Sequence, residues 1–328
     1  MRSFVLWYSS NNRDCAQSKE VKVHINLWGR GRGVNKEFCF DFGLLVEDIT
    51  DIDNIYLYCP FRLEKNQIQD LGSTISHDNN LLNAIFNQNF TTTVGDPKRV
   101  IVNGDIDKSN FIIYSLEVNN QINLDCKTTA KLKRPGTILS IKFDDIVCKD
   151  IKRHYFRIRI NVPNKDIHLI NNQVKGTSIF SSYFTNTENI DFRLNDFRSC
   201  SEELKEQFNK GQIFGISAIH YFIFRNANDV IIHHGNEMNS RMLEADLWDT
   251  YIDGLDYYII AYHLKSKAEV EPNGNLRYVK NFSALTRFQY QKETTAIIRK
   301  YMLVIIALGS IAGIIGNGLT ALVEKLFK

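Results

Sequence analysis

The feature that most constrains this chain is a stretch near its C-terminus that carries no formal charge. Residues 301–323 read YMLVIIALGSIAGIIGNGLTALV. At ~1.5 Å per residue, a helix of this length rises about 35 Å, enough to cross the ~30 Å hydrocarbon core of a bilayer. No later segment follows that could cover such a helix in a soluble core. The pattern therefore predicts a transmembrane helix over 301–323 rather than a buried core helix.

The charges beside this segment predict its orientation. Residues 277–300 form a basic juxtamembrane segment, in which Glu293 is the one acidic residue. The basic residues are Arg277, Lys280, Arg287, Lys292, Arg299 and Lys300. Because basic flanks stay in the cytoplasm, we expect the body, residues 1–276, to be cytosolic and 324–328 to form a short tail on the far side. With no earlier apolar span, the sequence predicts a tail-anchored protein.

One face of the predicted helix combines small and polar residues, and two aliphatic residues continue it toward the basic flank. The face consists of Leu303, Ile306, Gly309, Ser310, Gly313, Gly316, Asn317 and Thr320. Gly309-x-x-x-Gly313 is a close-packing pattern of membrane helices, and an Asn amide is costly in lipid. We expect this face to contact other copies of the chain. They would either surround a pore with Ile306 or Leu303 as its constriction, or only dimerise.

The body is predicted to be rich in strands. Alternation is clearest over 155–162, where Phe156, Ile158 and Ile160 face one way and Arg157 and Arg159 the other. Further predicted strands are Val21–Trp28, Glu37–Phe42, Ile55–Tyr58, Val100–Val102, Phe111–Val118, Ile138–Phe143, Phe214–Phe224 and Tyr257–Leu264. Predicted helices cover 79–87, 201–209 with a Ser199–Glu202 capping box, 241–252 and 283–300.

Strands and helices do not alternate regularly along the chain, which argues against a parallel nucleotide-binding sheet. The sequence therefore predicts an α+β, β-rich body with an antiparallel, sandwich-like arrangement and one C-terminal transmembrane helix. A division of the body near 150–170 is an open alternative.

Residues 127–159 form a basic block in an otherwise acidic body. The block contains Lys127, Lys131, Lys133, Arg134, Lys142, Lys149, Lys152, Arg153, Arg157 and Arg159, against three aspartates. Such a concentration of charge predicts binding of a polyanion such as a nucleotide or a short oligonucleotide, with His154, Tyr155 and Phe156 available to stack on bases. The alternatives are a solvated charged face and an ion-pair surface between subunits.

Two further stretches combine basic residues with aromatic residues or glycines. Trp28-Gly29-Arg30-Gly31-Arg32-Gly33 would hold a phosphate through Arg30 and Arg32, or form a plain hairpin tip. The run from Arg277 to Tyr290 alternates basic and aromatic residues, so we expect it to contact anionic lipid headgroups.

Motifs that would indicate catalysis are absent from the sequence. The six cysteines contain no C-x-x-C pair, and neither G-x-S-x-G nor H-E-x-x-H occurs. The sequence therefore predicts no cofactor, no metal site and no enzymatic activity. Scattered cysteines without a secretion signal predict free thiols in a reducing compartment.

This layout of a cytosolic sensor, a basic patch and one glycine-bearing terminal span resembles the membrane effectors of bacterial anti-phage systems that respond to nucleotide signals. In outline it is similar to the channel-like effector of the Hailong system. The resemblance implies a bacterial inner membrane and control by a short DNA oligomer that a partner nucleotidyltransferase makes. It is one of layout and assigns no residues.

The predicted function is a homo-oligomeric membrane effector, an ion channel or pore former in antiviral defence, gated by an anionic ligand on the cytosolic domain. One alternative is a tail-anchored scaffold without a pore. The other is a membrane-tethered hydrolase.

Overall fold

The computed structural model describes residues 3–10, 18–30, 37–96, 98–104, 110–128, 135–143, 151–163, 167, 170–174, 185–235, 237–252, 258–291 and 294–326. Its strands are β1 (Val5–Ser10), β2 (Glu20–Arg30), β3 (Glu37–Val46), β4 (Ile52–Cys59), β5 (Ile68–Asp70), β6 (Thr91–Asp96), β7 (Arg99–Asn103), β8 (Phe111–Tyr114), β9 (Ile122–Thr128), β10 (Pro135–Lys142), β11 (His154–Pro163), β12 (Asn171–Val174), β13 (Thr185–Leu194), β14 (Gly215–Asn226), β15 (Val230–His234), β16 (Asn239–Met242), β17 (Ile259–Lys267), β18 (Glu269–Val270), β19 (Leu276–Arg277) and β20 (Phe282–Gln291). The α-helices are α1 (Gly72–Ser76), α2 (Asn79–Phe86), α3 (Val118–Gln121), α4 (Glu202–Lys210), α5 (Ala245–Trp248) and α6 (Thr294–Leu326).

Most of these strands belong to three sheets. The largest has ten strands in the order β16-β17-β14-β2-β3-β11-β8-β7-β6, with β5 also paired to β11. Two four-stranded sheets have the orders β1-β4-β10-β9 and β12-β13-β20-β15. The β-rich α+β prediction is confirmed. The large sheet is mixed rather than antiparallel, because β2 pairs in parallel with β14 and β8 in parallel with β11. The large sheet contains β2 and β3, which precede residues 150–170 in the chain, together with β14 and β17, which follow them.

Alternation along the central strands gives the large sheet one strongly apolar face. Ile25 of β2, Phe42 of β3 and Ile158 of β11 lie on that face and are almost fully buried. Both four-stranded sheets contribute to the same core, for example through Leu57 and Phe192. Burying an aliphatic or aromatic side chain contributes roughly 1.5–3 kcal/mol. Such burial over many positions holds the sheets together as a sandwich.

Two of the predicted helices form close to where they were expected. α2 begins after Asp78, whose carboxylate accepts from the backbone N–H groups of Asn80 and Leu81. α4 begins after Ser201, whose hydroxyl accepts from the backbone N–H of Leu204 at 3.3 Å. The predicted Ser199–Glu202 capping box is therefore wrong by two residues.

The helix predicted over 283–300 is wrong over 283–291, because residues 282–291 form the strand β20, and it is confirmed over 294–300, which are the first residues of α6. Ala284, Thr286 and Phe288 are buried while Leu285 is exposed, which is the period of two of a half-buried strand. The basic and aromatic run is therefore part of a sheet, and its Phe282 and Phe288 are buried in the core rather than free to face lipid. The helix predicted over 241–252 is shorter than expected: it consists of α5 alone, and the strand β16 precedes it.

The C-terminal helix α6 confirms the predicted apolar span. Residues 301–323 are long and apolar enough to cross a membrane, and no part of that span is buried against the body. The hydroxyls of Ser310 and Thr320 donate to the carbonyls of Ile306 and Gly316 at 2.9 and 3.0 Å. Both hydroxyls are thus satisfied within the helix, so Asn317 is the more costly polar group on this face in lipid.

Candidate functional site

The second face of the large sheet carries polar and basic side chains in register. Strand pairing aligns Lys265 of β17, His220 of β14, His24 of β2, Gly43 of β3 and Arg157 of β11 in one line across the sheet. We call these four side chains, with Gly43 as the gap between them, the cationic row, after Lys265 and Arg157, the permanent cations at its two ends. Neighbouring strands lie ~4.8 Å apart, so the row extends about 19 Å.

Gly43 makes room for a tyrosine within the row. A Cβ atom at this position would collide with the hydroxyl of Tyr155, which lies over the backbone of β3. The same hydroxyl is 3.3 Å from Nδ1 of His24 and accepts a hydrogen bond from Nη1 of Arg157 at 2.6 Å. Tyr155 therefore connects the two parts of the row that Gly43 separates.

The cationic row forms the floor of a cleft of about 1200 Å³. Its walls include Phe86 at the end of α2, Phe111 of β8 and Trp248 of α5. The cationic residues that line it are Lys22, Arg153, Arg157, Arg241, Lys265 and Lys267, against the carboxylates of Glu20 and Glu47. Six cations face two anions, so the cleft has a net positive charge before any histidine is protonated.

Part of the negative charge in the cleft is already neutralised. The Glu47 carboxylate lies 2.8 Å from Nε of Arg153 and 3.5 Å from Nζ of Lys22. One carboxylate thus positions two cations at the cleft margin. This arrangement leaves the margin positive and holds both side chains close to the opening.

A buried ionic cluster lies beside the cationic row on the same face of the sheet, two residues away along β3 and β11. Asp41 of β3 accepts from Nε and Nη2 of Arg159 at 2.7 and 3.1 Å, from Nε1 of Trp28 at 2.7 Å and from the hydroxyl of Tyr251 at 2.7 Å. Burial acts to raise the pKa of Asp41, but the Arg159 guanidinium outweighs it and the pKa lies below its ordinary value. Asp41 is therefore ionised and fully occupied by its donors. We call these residues, with Arg157, the Asp41 cluster.

Arg157 brings a second positive charge to this cluster. Only 1% of its surface is exposed, and its Nε donates to the hydroxyl of Tyr251 at 2.6 Å. Within the residues that the structure describes, its side-chain acceptors carry no formal charge, and Asp41 is shared with Arg159. A buried cation without a carboxylate of its own is costly. The cluster is thus positive by one charge at the cleft floor, where an anionic ligand would compensate it.

Three histidines lie on the same floor, with His220 in contact with both His24 and His263. Nδ1 of His220 is 3.2 Å from Nε2 of His263, and the His24 ring packs edge-on to His220. Burial, and after it the nearby Lys265 ammonium, lower the pKa of His220 and of His263 to about 4. Burial also lowers the pKa of His24, with His220 and Arg157 acting in the same direction. All three rings are therefore neutral at pH 7 in the free protein.

Aromatic surfaces accompany the charges. The ring of Phe222 stacks on His263 with centroids 4.2 Å apart and planes within 4°. Phe86 and Phe90 are only partly buried and contact each other edge to face at 5.7 Å. Cations for phosphates beside exposed ring faces for bases are the combination by which proteins bind single-stranded nucleic acid.

The predicted ligand residues separate into three groups. Arg157 lies in the cleft floor and Arg153 at its margin, whereas Arg159 does not line the cleft and is held in the buried cluster by Asp41. Lys152 is exposed and does not line the cleft. The side chains of Lys131, Lys133, Arg134, Arg30 and Arg32 lie outside the described residues, although the backbone of Arg30 ends β2.

Other predictions about the site need correction or remain partial. His154, Tyr155 and Phe156 are buried, so the prediction that they stack on a ligand is wrong. Sequence analysis missed Lys22, His24, His220, His263, Lys265 and Lys267. Their alternation with apolar residues was visible in the sequence, but nothing in it indicated that β2, β14 and β17 are neighbours. The four described cysteines, Cys39, Cys59, Cys126 and Cys200, form no disulfide.

The arrangement suits binding of an anionic, ring-containing ligand. Among the described side chains, no three histidines, cysteines or carboxylates are arranged to hold a metal ion. A comparison with protein-family models finds no matching family, and a comparison with curated proteins finds no similar sequence.

Proposed function

We propose that this chain is a membrane-anchored, homo-oligomeric effector. Its cleft binds an anionic nucleotide or oligonucleotide, and its C-terminal helices form a path for ions that the ligand opens or closes. The observation that carries the proposal is the cationic row, which lies in a cleft lined by aromatic rings in a chain that also has an apolar, exposed helix. Neither feature alone would support a ligand-controlled membrane protein.

The length of the row favours a ligand with several phosphates. Lys265 and Arg157 are separated by four strand spacings, about 19 Å, and a single phosphate can contact only part of that distance. A short oligonucleotide would place successive phosphates along the row and its bases against Phe222 or Phe86. Contacts with several phosphates make such binding strongly dependent on salt.

The back of β14 connects the cleft to α6. His220 and Phe222 face the cleft, while Arg225, three residues further, faces the opposite side of the sheet. Its guanidinium binds Glu188 at 3.1 Å and lies over the Phe288 ring of β20 at 4.9 Å. Because β20 ends at Gln291 and α6 begins at Thr294, a ligand that shifts β14 would also shift the base of the membrane helix. Control requires that the ligand bind one of the two states more tightly.

The layout resemblance extends the proposal to a biological setting. In that setting the protein resides in a bacterial inner membrane with its body in the cytoplasm and acts in defence against phage. A partner nucleotidyltransferase would supply the ligand.

The direct test is binding of a short fluorescent oligodeoxynucleotide to the full-length protein in detergent, compared with ion flux in liposomes with and without that oligonucleotide. Absence of oligonucleotide binding at low salt would contradict the proposed ligand. Absence of ion flux both with and without the oligonucleotide would contradict the proposed pore.

Replacement of Gly313 and Asn317 by leucine is expected to abolish ion flux and leave oligonucleotide binding within twofold of wild type. Both changes remove the small and polar character of the helix face that a pore or helix contact would use, while the helix stays apolar enough to insert. Liposome flux and fluorescence anisotropy measure the two properties separately. The matched control is Gly318→Leu with Ile314→Leu. Undiminished flux in the Gly313 and Asn317 variant would show that this helix face does not line the path for ions.

Oligonucleotide affinity is expected to rise as pH falls from about 8 toward 5. In the free protein the pKa values of His220 and His263 are about 4, and a bound polyanion raises them, so binding takes up protons. The affinity therefore increases as pH falls through the raised pKa values and levels off below about 4. Replacing both histidines by asparagine should flatten this dependence, whereas His77→Asn on the surface should not. An affinity that is independent of pH in the wild type would contradict the assignment.

A further inference from the structure

The two ends of the cleft differ in their chemistry along the direction of the strands. The side chains of β17 that line the cleft are, in chain order, Ala261, His263, Lys265 and Lys267. Pairing through β14 places Lys22 of β2 level with Lys267. At the other end, it places Phe224 level with Ala261. Six residue steps of ~3.3 Å separate the two levels, about 20 Å, so the cleft has a lysine end and an apolar end.

The apolar end is formed by aromatic and small or aliphatic side chains, and we call it the aromatic end. It consists of Phe222 and Phe224 of β14, Ala261 of β17, Leu243, and Trp248 of α5. A cation that also lines this end, Arg241, lies 4.0 Å from the carboxylate of Glu244, which balances its charge. The aromatic end therefore suits a flat ring better than a phosphate.

The rings of the aromatic end are held in place before a ligand arrives. His263 stacks on one face of Phe222 with centroids 4.2 Å apart, and Trp28 stacks on one face of Phe224 with centroids 3.7 Å apart. The planes are within 5° of each other in both pairs. A surface that is already ordered binds a ring without the cost of fixing mobile side chains.

Trp248 adds an unused hydrogen-bond donor to this end. Its side chain is 4% exposed, and its buried Nε1 has no hydrogen-bond partner among the residues that the structure describes. The neighbouring indole of Trp28, with its centroid 5.9 Å away, donates to Asp41 at 2.7 Å instead. An unpaired buried N–H is costly and rare in native proteins. A donor of this kind on a residue that lines a cleft is suited to an acceptor of the ligand.

We infer that the aromatic end binds a nucleobase of the ligand, and that Nε1 of Trp248 donates to a carbonyl oxygen or ring nitrogen on the edge of that base. The inference rests on the proposed nucleotide or oligonucleotide ligand and deepens it, because it distinguishes a ligand with bases from a plain polyanion. The phosphates contact the cationic row and the lysine end, and the base extends from them along the strands toward Trp248.

The position of Trp248 favours a base over a phosphate as its acceptor. Trp248 contacts Phe224 and Trp28, which lie six residue steps along β14 and β2 from the level of Lys22. A phosphate at that position would be far from the lysines and would lose water among apolar side chains. A base loses apolar surface to the same side chains and gains the hydrogen bond.

The test compares a short fluorescent oligodeoxynucleotide with an abasic oligomer that has the same number of phosphates, both at low salt with the full-length protein in detergent. Because stacked bases contribute to affinity, the wild type is expected to bind the abasic oligomer at least tenfold more weakly. Trp248→Phe removes the N–H and keeps a ring. It should weaken binding of the oligodeoxynucleotide about five- to tenfold and leave binding of the abasic oligomer unchanged.

Trp28→Phe is the matched control, because it shortens a neighbouring indole whose N–H is already bonded to Asp41. It is expected to lower the thermal midpoint more than Trp248→Phe does, and to change the affinity for both oligomers by the same factor. A Trp248→Phe variant that loses affinity for both oligomers equally, or for neither, would overturn the inference. If the wild type binds both oligomers equally, the base contact fails while an anionic ligand stands. If it binds neither, the proposed ligand fails as well.

Discussion

Asp41→Ala is expected to lower the free energy of unfolding by about 3–5 kcal/mol, because it leaves two buried guanidiniums without a carboxylate. Asp41 is completely buried and accepts four hydrogen bonds, two of them from Arg159. Its removal also leaves the donors of Trp28 and Tyr251 unsatisfied in a dry interior. Thermal unfolding of the full-length protein in detergent should show a midpoint lowered by on the order of 10 °C.

The control for this prediction is Asp96→Ala on the exposed edge strand β6. Asp96 forms an ion pair with Arg99 at 3.5 Å, but more than half of its side chain is exposed. Exposed pairs contribute about 0–1 kcal/mol, so Asp96→Ala should change the midpoint by no more than a few degrees. The double replacement of Asp41 and Arg159 by leucine should recover part of the loss, because it removes a charge together with its partner. Equal effects of Asp41→Ala and Asp96→Ala would show that the buried ion pair is unimportant for stability.

Arg159 shows what residue patterns can and cannot predict. The alternation over 155–162 correctly placed Phe156 and Ile158 on one face of a strand and Arg157 and Arg159 on the other. It also made the arginine face appear to be a surface, because arginines are rarely buried without a partner. The partner, Asp41, lies more than a hundred residues earlier and becomes adjacent only through the pairing of β3 with β11. Periodicity therefore identified the face but not what covers it.

The membrane span could be predicted from the sequence, whereas most of the cleft could not. Residues 301–323 are defined by local composition alone, so length and hydropathy were sufficient to predict the helix. The cationic row depends on the order β17-β14-β2-β3-β11, in which β2 and β14 are nearly two hundred residues apart in the chain. The basic block between 127 and 159 thus supplied Arg153 and Arg157, but it could not lead to Lys265 or His24.

β20 illustrates a competition between two local patterns. Residues 283–300 contain alanine, leucine, glutamine and lysine, which favour a helix when composition is considered by itself. The structure follows the alternation of Ala284, Thr286 and Phe288, because ten residues of β13 pair with β20 and bury that face. Tertiary pairing overrode the local helix preference as far as Gln291, and the helix begins only where the sheet ends.

Replacing Lys265 and Lys267 by glutamine is expected to weaken oligonucleotide binding about 30- to 100-fold at low salt. Both side chains are exposed at the open end of the cationic row, so their loss should leave the fold intact. Burial, and after it repulsion by the nearby Lys267 ammonium, lower the pKa of Lys265 in the free protein. A phosphate placed between them would relieve that repulsion as well as bind both.

Salt dependence separates this role from a general loss of charge. Each phosphate contact to a single strand contributes about 0.7 to the slope of log K against log salt, so the double variant should reduce that slope by about 1.4. The control replaces Lys142 and Lys210, two exposed lysines outside the cleft, by glutamine and changes the net charge equally. If the control weakens binding as much as the cleft variant, attraction to the whole body explains the affinity. If it does not, the charges that matter are those aligned by β17, β14, β2 and β11.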